Sequence, residues 1–117
     1  MHEATIAEAI LSLVTRSIPE DVTKVKRINL VVGAFGGVEK ESLDLYFNAL
    51  SQGTKMEGAT LAMTVKPAKL TCRSCGESSL YDGREKLRET CLKCGGPNRV
   101  EKEKLFYIDN VEVENEN

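Results

Sequence analysis

The sequence predicts an α+β fold: a small mixed three-stranded sheet with two helices and an inserted cysteine-rich ribbon. Three observations carry this prediction. Apolar residues recur at helical spacing in two segments and alternate in three others, and two C-x-x-C pairs fall between the second and third alternating segments. A chain of 117 residues with a 41% hydrophobic share can bury one modest core or two small ones.

Thr5 and Glu8 have capping-box spacing, which predicts a helix starting at Thr5 and leaves residues 1 to 3 outside it. Ile6, Ile10 and Val14, with Ala7 and Leu11, form its apolar stripe, and Pro19 ends it. "VKRINLVVG" alternates with Ile28, Leu30 and Val32 on one face, a half-buried strand that leads into the turn "GAFGG". From Glu39, Leu43, Tyr46, Phe47 and Leu50 predict a second helix, with Gly53 as its C-cap. Leu61, Met63 and Val65 alternate in "TLAMTVK", and Pro67 marks entry to the cysteine segment. In the last strand, Phe106 and Ile108 lie out of phase with Val111 and Val113, so a bulge near Asp109 and Asn110 is needed to restore one face. Two strands and two helices make a thin core, so this strand is expected to return to the first sheet.

Thiolates on a two-residue spacer converge on one ion when the backbone makes a tight knuckle. Gly76 and Gly95 follow Cys75 and Cys94, where such a turn needs relief. Cys72, Cys75, Cys91 and Cys94 together fill a tetrahedral Zn(II) site at about 2.3 Å per bond and leave no open position, so the metal is structural. Iron in a rubredoxin-like site and redox-active thiols are the alternatives. About thirty residues with few apolar side chains need metal binding to fold. The insertion is therefore a zinc-ribbon module over residues 67–103, and the α/β domain comprises residues 1–66 and 104–117.

The net charge of −2 is unevenly spread. Between Lys66 and Lys104 stand ten basic and six acidic residues, against six basic and twelve acidic elsewhere. A basic segment could dock nucleic acid or an acidic protein, although a solvated mixed-charge surface is the commoner cause. An acidic chain with Tyr81 as the only aromatic between the cysteine pairs counts against a nucleic-acid binder. A zinc-ribbon nucleic-acid binder and a purely structural adaptor are the competing functional readings. No apolar run is long enough for a membrane span, and no signal-peptide pattern opens the chain, so a cytoplasmic location is expected.

His2 is the one histidine. A free terminal amine, the His2 amide and its imidazole Nδ1 can close adjacent five- and six-membered chelate rings, with the amide or carboxylate of Glu3 as a fourth donor. Planar N,O sets suit Ni(II) or Cu(II) rather than zinc. Residue chemistry alone leaves open that Met1, His2 and Glu3 are ordinary residues at a frayed end.

The order of features narrows this choice. "MHE", a helix, a strand running into "VVGAFGGVEKESL", then F-x-x-L-x-x-G-T-x-x-E-G-A-x-L, two C-x-x-C pairs and a closing "VEVE" closely resemble the HypA/HybF family of hydrogenase-maturation nickel metallochaperones. The resemblance covers nearly the whole chain. It departs in "GAFGGVEKESL", where Leu-Ser and Pro-Glu-Ser-Leu are more usual, and in "FYIDNVEVE". It implies Ni(II) as cargo on the Met1 amine, His2 and Glu3, and structural Zn(II) on the four cysteines. Such proteins are not enzymes; the resemblance implies delivery of nickel to the large subunit of [NiFe]-hydrogenase with the GTPase HypB, and in some members a contribution to urease maturation.

Overall fold

The computed structural model describes residues 3–35, 37–83, 86–101 and 106–115. Helix α1 spans Glu3–Ser17 and buries Ile6, Ala7, Ile10 and Val14, with Leu11 half-buried. The predicted stripe is therefore the packed face, but the helix starts two residues earlier than the Thr5 expectation. Thr5 and Glu8 are exposed within the helix and do not cap it. Glu3 belongs to the first turn, where the positive end of the helix dipole favours a carboxylate. At the other end, the Ile18 amide still bonds the Val14 carbonyl at 3.0 Å before Pro19 forbids a further turn.

Strand β1 covers Val22–Gly33, three residues longer at its start than predicted. Ile28, Leu30 and Val32 are buried in alternation as expected; earlier in the strand, burial falls three apart, on Val22, Val25 and Ile28. Helix α2, Lys40–Leu50, buries Leu43 and Phe47 against α1. Tyr46 and Leu50, placed on the same stripe by sequence, are exposed. The C-cap is Ser51, whose amide donates to the Phe47 carbonyl, and not Gly53.

Gly53 instead opens a run of tight turns with a positive φ of 76°. Its amide donates to the Glu57 carboxylate at 3.3 Å, and the Thr54 hydroxyl donates to the Ser51 carbonyl at 2.7 Å while accepting from the Met56 amide at 3.1 Å. These bonds seat Met56 and Ala59 in the core. The G-T-x-x-E-G-A stretch is thus a self-bonded loop with a packing role.

Strand β2, Thr60–Lys66, matches the alternating segment, with Leu61 buried and Met63 and Val65 half-buried. The Ala34 amide, just past β1, bonds the carbonyl of Lys66 at the end of β2 at 3.1 Å. The two strands end side by side and run parallel, with α2 as the crossover. Three further strands follow: β3 (Ala68–Cys72), β4 (Ser78–Tyr81) and β5 (Asn98–Val100). The last, β6 (Phe106–Asn115), returns to the first sheet, whose order is β2-β1-β6. Side-chain partners descend β6 as they ascend β1: Lys26 meets Glu114 at 3.4 Å, and Asn29 meets Asn110 at 2.7 Å. That pair is antiparallel, so the sheet is mixed. Asp109 and Asn110 are both exposed between half-buried Ile108 and Val111, a phase shift at the expected place; Val113, however, stays exposed.

Two compact units emerge: Met1–Val31, Gly37–Thr64 and Tyr107–Asn117 form one, Val32–Gly36 and Val65–Phe106 the other. The first holds most of the buried apolar side chains, including Ile10, Ile28, Leu43 and Phe47. In the second, the antiparallel sheet β4-β3-β5 buries Leu70 and Tyr81, and Val32 and two metal-ligand candidates, Cys72 and Cys91, are buried as well. The 32–36 segment, left with the α/β domain by sequence, packs in the cysteine unit. The Phe35 and Tyr81 rings meet at 5.3 Å, and a Cβ on Gly83 would lie 2.8 Å from the Ala34 carbonyl oxygen.

Candidate metal centre

Cys72 closes β3, and the chain then folds back on itself. The Gly76 amide bonds the Cys72 carbonyl at 3.1 Å and the Cys72 amide bonds the Glu77 carbonyl at 2.9 Å. Gly76 has a φ of 78°, which a side chain would resist. The second knuckle repeats this geometry. Gly95 donates to the Cys91 carbonyl at 2.9 Å with a φ of 77°, and the Cys91 amide reaches the Gly96 carbonyl at 2.7 Å.

Both knuckles aim amides at sulfur. Ser74 and Cys75 donate to Cys72 Sγ, Lys93 to Cys91 Sγ and Gly96 to Cys94 Sγ, each at 3.4 Å. Across the site, Cys72 Sγ lies 3.4 Å from Cys94 Sγ and Cys75 Sγ lies 3.7 Å from Cys91 Sγ; all four sulfurs fall within 4.8 Å of one another. A disulfide needs about 2.05 Å, so the thiols are free. A tetrahedral zinc–thiolate set with bonds of about 2.3 Å has sulfurs about 3.8 Å apart, and this cluster fits it. Four protein ligands leave no position for a substrate.

The electrostatics of the metal-free cluster divide the four thiols. The Cys75 amide, helped by that of Ser74 and against burial, holds Cys72 down to about 6 from an ordinary 9.0. Cys91 is lowered by the Cys94 and Lys93 amides. At Cys94 the Gly96 amide pulls downward, but the Cys72 and Cys75 sulfurs, with burial, push the thiol up to about 12. The fold therefore favours the thiolate at Cys72 and Cys91 and the protonated thiol at Cys94.

Sequence reasoning missed Gly96. A Cβ there would come 2.6 Å from Ser74 Oγ and 3.3 Å from Cys72 Sγ, so the approach of the two knuckles requires its absence. The doubled glycine in "CGG" was the available signal. Phe35 was missed as well; an aromatic residue inside a glycine-rich turn, with Tyr81 the one aromatic between the cysteine pairs, hinted at it. Of the terminal trio, Glu3 lies half-buried in the first turn of α1, while Met1 and His2 fall outside the described residues.

An α+β unit joined to a ribbon with a closed four-sulfur cluster defines a small protein equipped to hold one metal ion on four cysteines. Residues 1–113 match the family model described as HypA, hydrogenase/urease nickel incorporation, metallochaperone. The hydrogenase maturation factor HypA of Dehalococcoides mccartyi is 37% identical over 99% of this chain and 97% of its own length, and that of Prosthecochloris aestuarii is 41% identical over 97% of this chain and all of its own. The solution structure of the nickel metallochaperone HypA from Helicobacter pylori has the same fold, with a TM-score of 0.60 at 16% identity over 99% of this chain and 100% of that one. The chain belongs to the HypA family of nickel metallochaperones, which are maturation factors and not enzymes. That membership does not favour the nucleic-acid-binding or adaptor readings. Among the described residues no helix is long and apolar enough to cross a membrane.

Proposed function

We propose that this protein carries Ni(II) on the Met1 amine, the His2 amide and imidazole and, as a fourth donor, Glu3, and that it keeps Zn(II) on Cys72, Cys75, Cys91 and Cys94 as a permanent structural ion. The observation that carries the nickel reading is the sole histidine at position 2, directly ahead of a helix that starts at Glu3. The first amides of a helix have no intrahelical acceptor, so the Glu3 amide is uncommitted and its carboxylate is local. The spacing of the four sulfurs supports zinc, and this module serves to staple the second unit.

Release is as important as capture for a carrier. A planar four-coordinate ion has open axial faces, and an acceptor imidazole or thiolate can attack while the chaperone's donors leave in turn. The acceptor is the large subunit of [NiFe]-hydrogenase, with the GTPase HypB as partner and urease maturation as a further destination, all in the cytoplasm. Family membership in hydrogenase/urease nickel incorporation supports this assignment.

Nickel titration of the untagged protein tests it. His2→Ala, or one extra residue before Met1, abolishes stoichiometric nickel binding and leaves zinc in place. Because imidazole (about 6.5) and α-amine (about 8) bind only when deprotonated, wild-type affinity falls between pH 7.5 and pH 5.5. Unchanged nickel binding by both variants overturns the reading.

A further inference from the structure

Strand pairing determines which side chains share the outward face of the second sheet. In β3, Leu70 and Cys72 are buried, so Lys69 and Thr71 stand on the opposite side. Antiparallel register sets Arg99 of β5 opposite Thr71 and Leu80 of β4 opposite Lys69. Paired residues share a face, so both join this side. An open hollow of about 500 Å³ is lined by Thr71, Cys72, Arg73 and Arg99, so both arginines border one depression. Leu80 at the β4 edge is 64% exposed, a large apolar side chain on an otherwise polar face.

Among the described residues, neither guanidinium has a carboxylate partner, and neither does the Lys69 ammonium. Elsewhere in the same unit Lys93 pairs with Glu77, and Arg88 donates to Ser79 and Leu80. Glu101 follows β5 two residues beyond Arg99 and opposite Lys69, its amide on the Lys69 carbonyl at 3.3 Å, but it pairs with neither cation.

We propose that the outward face of the β4-β3-β5 sheet, built on Arg73, Arg99, Lys69 and Leu80, is a docking surface for an extended acidic segment of a partner protein. Two guanidinium forks suit carboxylates, which they bind through paired, directional hydrogen bonds. Leu80 supplies an apolar anchor at the far edge. Strand spacing and rise put Leu80 about 12 Å from Arg99, the reach of three to four extended residues. The fitting segment therefore carries acidic residues three to four positions from an aliphatic one. A nucleic acid fits less well: no aromatic residue stands on this face, since Tyr81 is buried against Phe35, and the whole chain is anionic.

A second role for the arginines is to offset the charge of a metal tetrathiolate, because Cys72 lines the same hollow. The test separates the two. A fluorescein-labelled peptide of ten residues, with paired glutamates three positions from a leucine, is titrated into the zinc-loaded full chain and followed by anisotropy. A glutamine-for-glutamate peptide and a labelled single-stranded oligonucleotide serve as controls. The acidic peptide binds saturably, the neutral one does not, and Arg73→Gln/Arg99→Gln weakens binding about tenfold while zinc stays stoichiometric. Leu80→Ser weakens it about threefold or more. Arg73→Lys/Arg99→Lys, which keeps the charge but loses the forks, also weakens it. Absence of peptide binding, equal binding by the variants, or tighter arginine-dependent binding of the oligonucleotide overturns the proposal. So does loss of zinc from the glutamine variant with full recovery of zinc and peptide binding in the lysine variant. The outcome is independent of the nickel reading.

Discussion

Cys72 and Cys94 sit 3.4 Å apart at opposite ends of thiol acidity, because amides surround one sulfur and other sulfurs crowd the other. Cys72, lowered from 9.0 to about 6, is a thiolate at neutral pH; its advantage to the fold is complete above about 9 and is lost as pH falls through about 6. Cys94, raised to about 12, keeps its proton until a metal displaces it. Adding zinc to the metal-free protein at pH 7.5 should therefore release at least one proton per ion, measurable with a dilute pH indicator. In the loaded protein, protons compete with zinc for the sulfurs, so zinc should be held at pH 7.5 and lost progressively on strong acidification, as a chromophoric chelator would report. Metal loss already above pH 7 would contradict this account. The convergence of the four sulfurs was legible from C-x-x-C spacing, but their acidity was not, because it depends on which amides the folded knuckles direct at which sulfur.

Among the elements, α1 shows both the strength and the limit of pattern reading. Its periodicity identified Ile6, Ala7, Ile10 and Val14 correctly, since any helix through these residues presents them on one side. Its start was misplaced: Thr5 and Glu8 have the spacing of a cap, yet spacing cannot say whether the backbone is already helical before them. The same limit applies to α2, where Tyr46 and Leu50 share the stripe but lie beyond the width that α1 covers. Ile10→Ala should cost about 3 kcal/mol of stability in urea denaturation followed by circular dichroism, because Ile10 is fully buried and its loss leaves a cavity. Leu13→Ala, on the 42% exposed side of the same helix, should change stability by no more than about 0.5 kcal/mol.

At the scale of the whole molecule, the two units rely on different sources of stability. The first buries apolar residues from both helices and from β1 and β2, whereas the second has Val32, Leu70, Tyr81 and two of its cysteines. Removing metal with a chelator should collapse amide-exchange protection over residues 68–100 while leaving residues 6–61 protected; protection retained across both spans would show that the ribbon has a sufficient core of its own. The sequence by itself determined the α+β class, the buried face of α1, the return of β6 and the four metal-ligand candidates, because periodicity and ligand spacing are local properties that survive any arrangement of the elements. Tertiary structure alone decided that 32–36 packs with the ribbon through Phe35, that Gly96 must be small, and that Arg73, Arg99 and Leu80 share one face. Each of these depends on contacts between segments far apart in the chain, and no local pattern encodes such distances.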